Sequence, residues 1–396
     1  MRVQFMTWGW KTHFFPLVPL AWAFRLAGHD VRVVSQPTLI PTITEAGLPA
    51  VPAGPALDQA LLQRGYRYLV AEEGTRPLEW PDLRKHGIWT LAPYLRIAEA
   101  MLADSLDFTR AWRPDLIVYE ATTYAGPMVA ALLDIPAVRH GWGVDYSYLF
   151  HEFAHEALAP HRAALKLDAI DTLGVATVDP CPRSMQIGPT EHVDADVRRL
   201  WMRYIPYNGP GVVPAWLAEP PERRRICVTW GYVVGSFYRR SFRIGDVLRA
   251  LKGVDAEIVA AVPPGAREEI GQVPEGMRVV EGVPLQLILP TCDLFVSQGG
   301  LGGMMTAMSC GIPQLVLPPV PDQVLNARQL ARTGAGRFAF LEETGPDKLA
   351  GLVDDLLGTP AYGLAAGRLR AESAAQPTPD LVARTLTELA FAGSTR

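Results

Sequence analysis

The chain carries two runs of alternating strand and helix patterns, separated by a stretch dense in proline and glycine. In the first run, "RVQFMTW" and "DVRVVSQ" have the β-branched, apolar make-up of strands. Between them "PLVPLAWAFRLAGH" has helical periodicity and closes at Gly28. "PDLIVYE" and "IPAVRHG" flank "GPMVAALLD" in the same way. Strand, helix, strand at this spacing predicts βαβ units and a parallel sheet. The alternation stops at "IPYNGPGVVPAWLAEPPERRR", which reads as a linker. It restarts with "RRICVTWG", "AEIVAAV", "MRVVEG", "CDLFVSQGG" and "IPQLVLPP". The expected fold is therefore α/β, with two Rossmann-like domains over residues 1–205 and 223–375 and a linker over 206–222. A C-terminal segment follows over 376–396, where "TPDLVARTLTELAFAG" predicts a helix with Thr378 as N-cap and Pro379 at its first position.

Composition narrows the function classes. A chain of 396 residues can bury two cores of ordinary size. The net charge of -4, with no run of Lys or Arg, leaves no electrostatic footprint for nucleic acid. Cys181, Cys227, Cys292 and Cys310 lie far apart with no CxxC pair, as buried thiols in a reducing cytoplasm do. The first apolar stretch carries Lys11 and His13 and has no cleavage-site pattern. No segment reaches the roughly 18 uninterrupted apolar residues of a span, so neither a signal peptide nor a membrane helix is expected, and the expected location is cytoplasmic.

The strongest chemical signal is "DLFVSQGGLGGMMTAMSCGIPQLVLPP". A buried strand runs into Gly299, Gly300, Gly302 and Gly303, with a helix expected from about Met304. Glycines at a strand-to-helix turn let backbone N–H groups approach a ligand, and a helix start favours an anion such as a diphosphate. A turn serving only helix–sheet packing would use glycine too. The pattern is not the dinucleotide fingerprint, because no acidic residue follows on a strand end about 20 residues later.

The stretch "FVSQGGLGGMMTAMSCGIPQLVLPPVPDQVLNARQLARTGAG" resembles the donor-binding motif of GT-B glycosyltransferases, above all the bacterial enzymes that decorate macrolides and other polyketides. "KTHFFPLVPLAWAFRLAGHDVRVVSQPTL", "GVPLQLILPTCD" and "VDPCPRSMQIG" resemble the same group, in the same order, so the likeness spans nearly the whole chain. Spinosyn-type rhamnosyltransferases are one type within it. The resemblance implies two Rossmann-like domains facing each other across a cleft. It implies an inverting, metal-independent transfer of a deoxysugar such as rhamnose from a TDP-sugar to a polyketide or macrolactone hydroxyl, with no cofactor. The partners are then two small molecules, a homodimer being among the assemblies open to it.

Placed on this sequence, the resemblance puts His13 on the catalytic base and Val283 where the backbone meets the nucleobase. Gly299, Gly300, Gly302 and Gly303 fall on the diphosphate turn, with Thr229 and Gly231 on a loop facing the same phosphates. Asp322 and Gln323 match the acidic–amide pair that contacts sugar hydroxyls. Two positions depart from the family: Gln298 stands where His is usual, and Gly303 where Thr or Ser is usual. A Gln amide still donates a neutral hydrogen bond to phosphate but carries no charge.

The implied chemistry explains the histidine. A sugar-acceptor hydroxyl is a poor nucleophile, and an imidazole can take its proton in the transition state. Glu120, ending "LIVYE", is placed to orient that imidazole, with a solvated strand-end carboxylate as the competing reading. Eight of the ten tryptophans precede the linker, among them Trp8, Trp10, Trp80, Trp89 and Trp142. Trp10 and Trp142 are the two expected in an apolar acceptor pocket.

Two other patterns compete. "HEFAHEALAPH" sets His151, Glu152 and His155 in zincin spacing, with His161 six residues on, which would make a zinc hydrolase. Leu158 stands where the longer metzincin pattern needs Gly. The DAD at Asp194–Asp196 has the spacing used by metal-dependent glycosyltransferases of another fold, but without a flanking strand it reads as a solvated face. A catalytically silent GT-B relative acting as an auxiliary or binding protein is the third reading, favoured by Gln298 and opposed by His13 and Asp322.

Overall fold

The computed structural model describes residues 1–67, 76–188, 192–194, 197–231 and 242–393. By contact the chain divides into two compact units. Unit 1 holds Met1–Leu61, Lys85–Gly209 and Ala375–Arg396; unit 2 holds Leu62–Arg84 and Pro210–Ala374. Leu62–Arg84, inside the stretch expected to form the first domain, thus groups with unit 2. There Glu79 accepts from Arg328 at 2.6 Å, and the Arg76 guanidinium lies 5.1 Å over the Phe340 ring.

Unit 1 is built on strands β1 (Arg2–Met6), β2 (Asp30–Ser35), β3 (Ala50–Pro52), β4 (Leu116–Glu120), β5 (Ala137–His140), β6 (Ala176–Asp179), β7 (His192–Asp194) and β8 (Val197–Trp201). Their order is β3-β2-β1-β4-β5-β6-β8-β7. All pair in parallel except β7, which runs antiparallel to β8 with a bulge. β7 corrects one expectation, since a strand does flank Asp194; Ala195 and Asp196 lie outside the described residues. Strands buried on both faces read as continuous apolar runs, and Val3, Phe5, Val31, Val33, Val118, Val138 and Val178 fill the core accordingly. The helix Val18–Leu26 ends before Gly28, whose φ of +85° glycine adopts without strain. The C-terminal helix Pro379–Gly393 returns to this unit and seats Val382, Leu386 and Ala390 in the same core.

Unit 2 contains β9 (Arg225–Thr229), β10 (Glu257–Val262), β11 (Arg278–Glu281), β12 (Leu294–Ser297), β13 (Gln314–Val316) and β14 (Gly336–Phe338). They form a parallel sheet in the order β11-β10-β9-β12-β13-β14. Residues 206–222 hold little regular structure beyond the turn Ala215–Leu217. Trp216 in that turn lies under the guanidinium groups of Arg225 and Arg278 at 5.0 and 4.7 Å.

Each sheet reverses its winding once, between β1 and β4 in unit 1 and between β9 and β12 in unit 2. At such a switch point the chain leaves neighbouring strands in opposite directions and opens a crevice at their C-terminal ends, where open α/β sheets bind ligands. Those ends carry Trp8–His13 and Glu120 in unit 1, and Thr229–Gly231 and Gln298–Gly300 in unit 2. Among the described residues no helix is long and apolar enough to cross a membrane.

Candidate active site

In unit 1 the chain leaves β1 through Thr7–Trp10 and enters the short helix Lys11–Phe14, which carries His13. A Cβ on Gly9 would stand 3.1 Å from the Gln36 amide oxygen, so the exit from β1 passes close to the end of β2. The turn brings His13 Nδ1 to 2.9 Å from Glu120 Oε1. The imidazole, 14% exposed, packs against both Trp8 and Trp142, with ring centroids 4.9 and 4.7 Å away. Trp10 stacks on Trp8 at 5.7 Å. Tyr94 meets the Trp8 ring edge-on at 6.2 Å.

Glu120 is buried, 1% exposed, which settles the competing reading against a solvated strand end. It accepts from the Thr122 backbone N–H at 3.1 Å and from the Thr122 and Thr123 hydroxyls at 2.8 Å each. Burial pushes its carboxyl up, but His13 and these hydroxyls outweigh that and hold it below its ordinary value of 4.5. His140, its register neighbour on β5, is lowered to about 4 by burial.

Trp142 owes its place to buried charges that sequence reasoning passed over. Arg139 donates to Asp145 and Ser147, while Arg199 pairs with Asp179. Gln186, within the "VDPCPRSMQIG" segment, donates to Gly143 O at 3.1 Å and Asp179 Oδ2 at 2.9 Å and accepts from Asp145 N at 2.8 Å. The loop carrying Trp142 is thereby held on both sides. Arginines on strands read as surface residues, and only the register Arg139–Thr177–Arg199 across β5, β6 and β8 reveals a buried polar row. The wider set of tryptophans disperses: Trp80 belongs to unit 2, and Trp89 is 75% exposed.

In unit 2 the glycine segment differs in detail from expectation. The helix begins at Leu301, three residues before Met304, so Gly302 and Gly303 lie in its first turn and only Gly299 and Gly300 form the turn before it. Glycine's poor helix propensity hides this start, because first-turn residues need no intrahelical partner for their N–H groups. Gly299 has a φ of +95°, and a Cβ there would stand 2.8 Å from Val316. A Cβ on Gly303 would stand 3.0 Å from the Phe295 ring, so the family's usual Thr or Ser has no room without a shift.

Gln298 is buried, and its amide covers the positions where a Cβ on Gly231 or Gly300 would project. This brings the two loops of the unit 2 switch point together. Thr229 is also buried; its hydroxyl donates to Ala261 O at 2.6 Å, so it faces the sheet and its proton is not offered to a phosphate. The loop after Gly231 lies outside the described residues. Val283, between β11 and the helix Leu285–Ile288, packs half-buried beside Ile288 and Phe295.

Asp322 and Gln323 occupy the first turn of the helix Pro321–Thr333, whose N-cap is Val320. Asp322 is half-buried. Gln323 is 4% exposed, and its amide oxygen has no hydrogen-bond partner among the described residues. Asn326, one turn on, donates to Gly299 O at 3.0 Å and ties this helix to the glycine turn.

The zincin pattern does not assemble. His151 Nδ1 lies 3.3 Å from the Thr172 hydroxyl, and His161 Nε2 lies 3.0 Å from Glu99. The Arg162 guanidinium covers His155, at 3.2 and 3.3 Å from its two nitrogens, where a permanent cation opposes a metal ion. Among the described residues no three His, Cys, Asp or Glu side chains gather as ligands.

Two Rossmann-like units, each with candidate site residues at its switch point, are the architecture of the GT-B glycosyltransferases that this chain resembles in structure. The chain belongs to the erythromycin biosynthesis protein CIII-like family, whose N-terminal domain matches residues 22–231 and whose C-terminal domain matches residues 245–389. It is 35% identical to the 3-alpha-mycarosylerythronolide B desosaminyl transferase of Saccharopolyspora erythraea, over 98% of each chain. The spinosyn rhamnosyltransferase SpnG complexed with thymidine diphosphate superposes with a TM-score of 0.83 at 32% identity, covering 98% of this chain and all of that one. The same enzyme complexed with spinosyn aglycone gives a TM-score of 0.82 at 33% identity and the same coverage. His13 precedes the range matched by the N-terminal family model, so the role proposed for it below rests on the geometry described above.

Proposed function

We propose that the enzyme moves a deoxysugar from a TDP-sugar to a hydroxyl of a polyketide or macrolactone aglycone, inverting the anomeric carbon without a metal ion or cofactor. The carrying observation is the His13–Glu120 pair at the switch point of unit 1, with Trp8 and Trp142 packed against the imidazole. In this reading residues 1–205 serve the acceptor, with Trp10 and Trp142 against its apolar body, and residues 223–375 serve the donor.

The step balances as a direct displacement. The acceptor oxygen forms a bond to the anomeric carbon as its proton passes to His13. The bond from that carbon to the diphosphate breaks, and TDP departs with the electron pair. Charge developing on TDP is met by Gln298, by the backbone at Gly299 and Gly300, and by the start of the helix Leu301–Cys310. Gly303 lets that helix begin close to the Phe295 ring of β12, and Gly302 stands beside it in the first turn. Thr229 and Gly231 shape the neighbouring loop, and Val283 offers its backbone to the base. Asp322 and the unpartnered Gln323 oxygen accept from sugar hydroxyls, which suits a buried acceptor lacking a protein donor.

The TDP and aglycone bound by a similar enzyme support both substrate classes. Rhamnose is the first donor sugar to try, and a relative named for desosamine makes an aminodeoxysugar the comparison. His13→Ala is expected to abolish transfer while leaving TDP affinity within about threefold, because base and nucleotide residues belong to different units. Near-normal turnover of that variant at neutral pH would remove His13 from its role.

A further inference from the structure

We propose that Trp8, Thr122 and Thr123 form a tautomer lock behind His13. They keep the proton of the neutral imidazole on Nδ1 and leave the Nε2 lone pair as the atom that takes the acceptor's proton. This rests on the base role proposed above, and it assigns positioning roles to three residues so far without one in the reaction.

Counting protons gives the direction of every bond. An indole N–H can only donate, and that of Trp8 lies 3.0 Å from Thr122 Oγ1. The backbone N–H of Trp8 lies 3.1 Å from Thr123 Oγ1. Each hydroxyl has a single proton. With a lone pair of each oxygen occupied by a donor from Trp8, each turns that proton toward Glu120, where both stand 2.8 Å from Oε2. The Thr122 backbone N–H adds a further donor to Oε1 at 3.1 Å. These neighbours all donate, so the carboxyl is an ionised acceptor with no proton of its own to give. The remaining neighbour, His13 Nδ1 at 2.9 Å, must then donate as well.

In the neutral ring this leaves Nε2 bare. Trp8 and Trp142 both pack against the imidazole and resist its swinging out of this arrangement. Trp8 therefore acts twice, as a wall against the ring and as the donor that sets the polarity of the chain of hydrogen bonds. A purely structural Trp8 would need only the wall.

Nitrogen-15 spectra of the histidine rings near neutral pH test this, with His13 identified by the signals lost in His13→Gln. The wild type should show His13 as the Nδ1–H tautomer. Thr122→Val and Trp8→Phe remove one hydroxyl and one indole N–H while keeping much of the shape. In both, the Nε2–H form should gain population, and kcat should fall about tenfold with both KM values held within about twofold. Thr122→Ser should restore both the spectrum and most of kcat. A wild-type ring protonated on Nε2 would overturn the lock. So would wild-type kcat in Thr122→Val while His13→Ala is inactive. Normal turnover in His13→Ala overturns the base role instead, and the spectrum of the wild type still judges the tautomer.

Discussion

Glu120→Gln isolates the charge behind His13 with almost no change in volume. The carboxylate receives the Thr122 N–H, two hydroxyl protons and the His13 ring, so donors approach both of its oxygens. A carboxamide offers one oxygen and one NH2 group. Whichever way it sits, its NH2 faces groups that already donate. If the NH2 points at His13, it forces the ring proton onto Nε2 and removes the base. If it points at Thr123, it breaks the hydroxyl chain. Hydrogen bonds to a charged group are worth about 1.5–3 kcal/mol each, and positioned general bases contribute about 10²–10⁴ in rate. We expect kcat to fall at least about a hundredfold, with TDP binding by calorimetry essentially unchanged. Stability carries an independent signature. The Glu120 pKa is lower folded than unfolded, so its ionised form contributes stability in full above the ordinary carboxylate range. That contribution disappears as pH falls from about 4.5 through the folded value. The stability gap between wild type and Glu120→Gln should therefore narrow below about pH 4.5. A variant with wild-type kcat, or a gap that stays constant into acid, would show that the Glu120 charge does not support His13.

Two further predictions follow from the same geometry. His140 is lowered from 6.5 to about 4 by burial, so the unfolded chain takes a proton that the folded chain refuses. Stability should then drop by roughly 3 kcal/mol between pH 6.5 and 4, and urea titrations of His140→Gln should lack that slope; parallel pH profiles for the two proteins would contradict it. Asp322→Asn should keep the melting temperature within a few degrees, since Val320 rather than Asp322 is the N-cap and a first-turn charge is worth only about 0.3–1 kcal/mol. Its affinity for bare TDP should also hold, while turnover with the TDP-sugar should fall about tenfold or more. Wild-type turnover in a folded Asp322→Asn enzyme would leave Asp322 as a helix-start charge alone.

What the sequence reveals, and what it hides, follows from the range of each interaction. The strands and helices quoted from it carry their signal locally, and nearly all return in the structure. β3 and β14 have three residues each and lack the longer apolar run, "IPQLVLPP", that makes the equally short β13 legible. β8 reads "VRRLW", and its two arginines disguise a strand whose Arg199 is buried by pairing with Asp179, a partner 20 residues away. Leu62–Arg84 joins unit 2 through contacts such as Glu79 with Arg328, which no local pattern foretells. The HEFAH spacing shows the reverse failure. The local pattern is complete, yet Arg162 on the following helix takes one histidine and Thr172 another.

The same distinction bears on the proposed catalytic pair. His13 and Glu120 are 107 residues apart, and neither has a neighbour in sequence that names its partner. What joins them is the pairing of β1 with β4, which sets Met6 beside Tyr119 and so brings the two strand exits together at the switch point. "YEATTY" does hold a legible clue: hydroxyls directly after a strand-end acid are suited to hydrogen-bond it. The missing term is Trp8, which reaches those hydroxyls only because the chain leaves β1 beside the end of β4. A base that depends on a proton's position is thus specified by strand order. Any change that slips β1 against β4 should disable the enzyme even with every residue of the site intact.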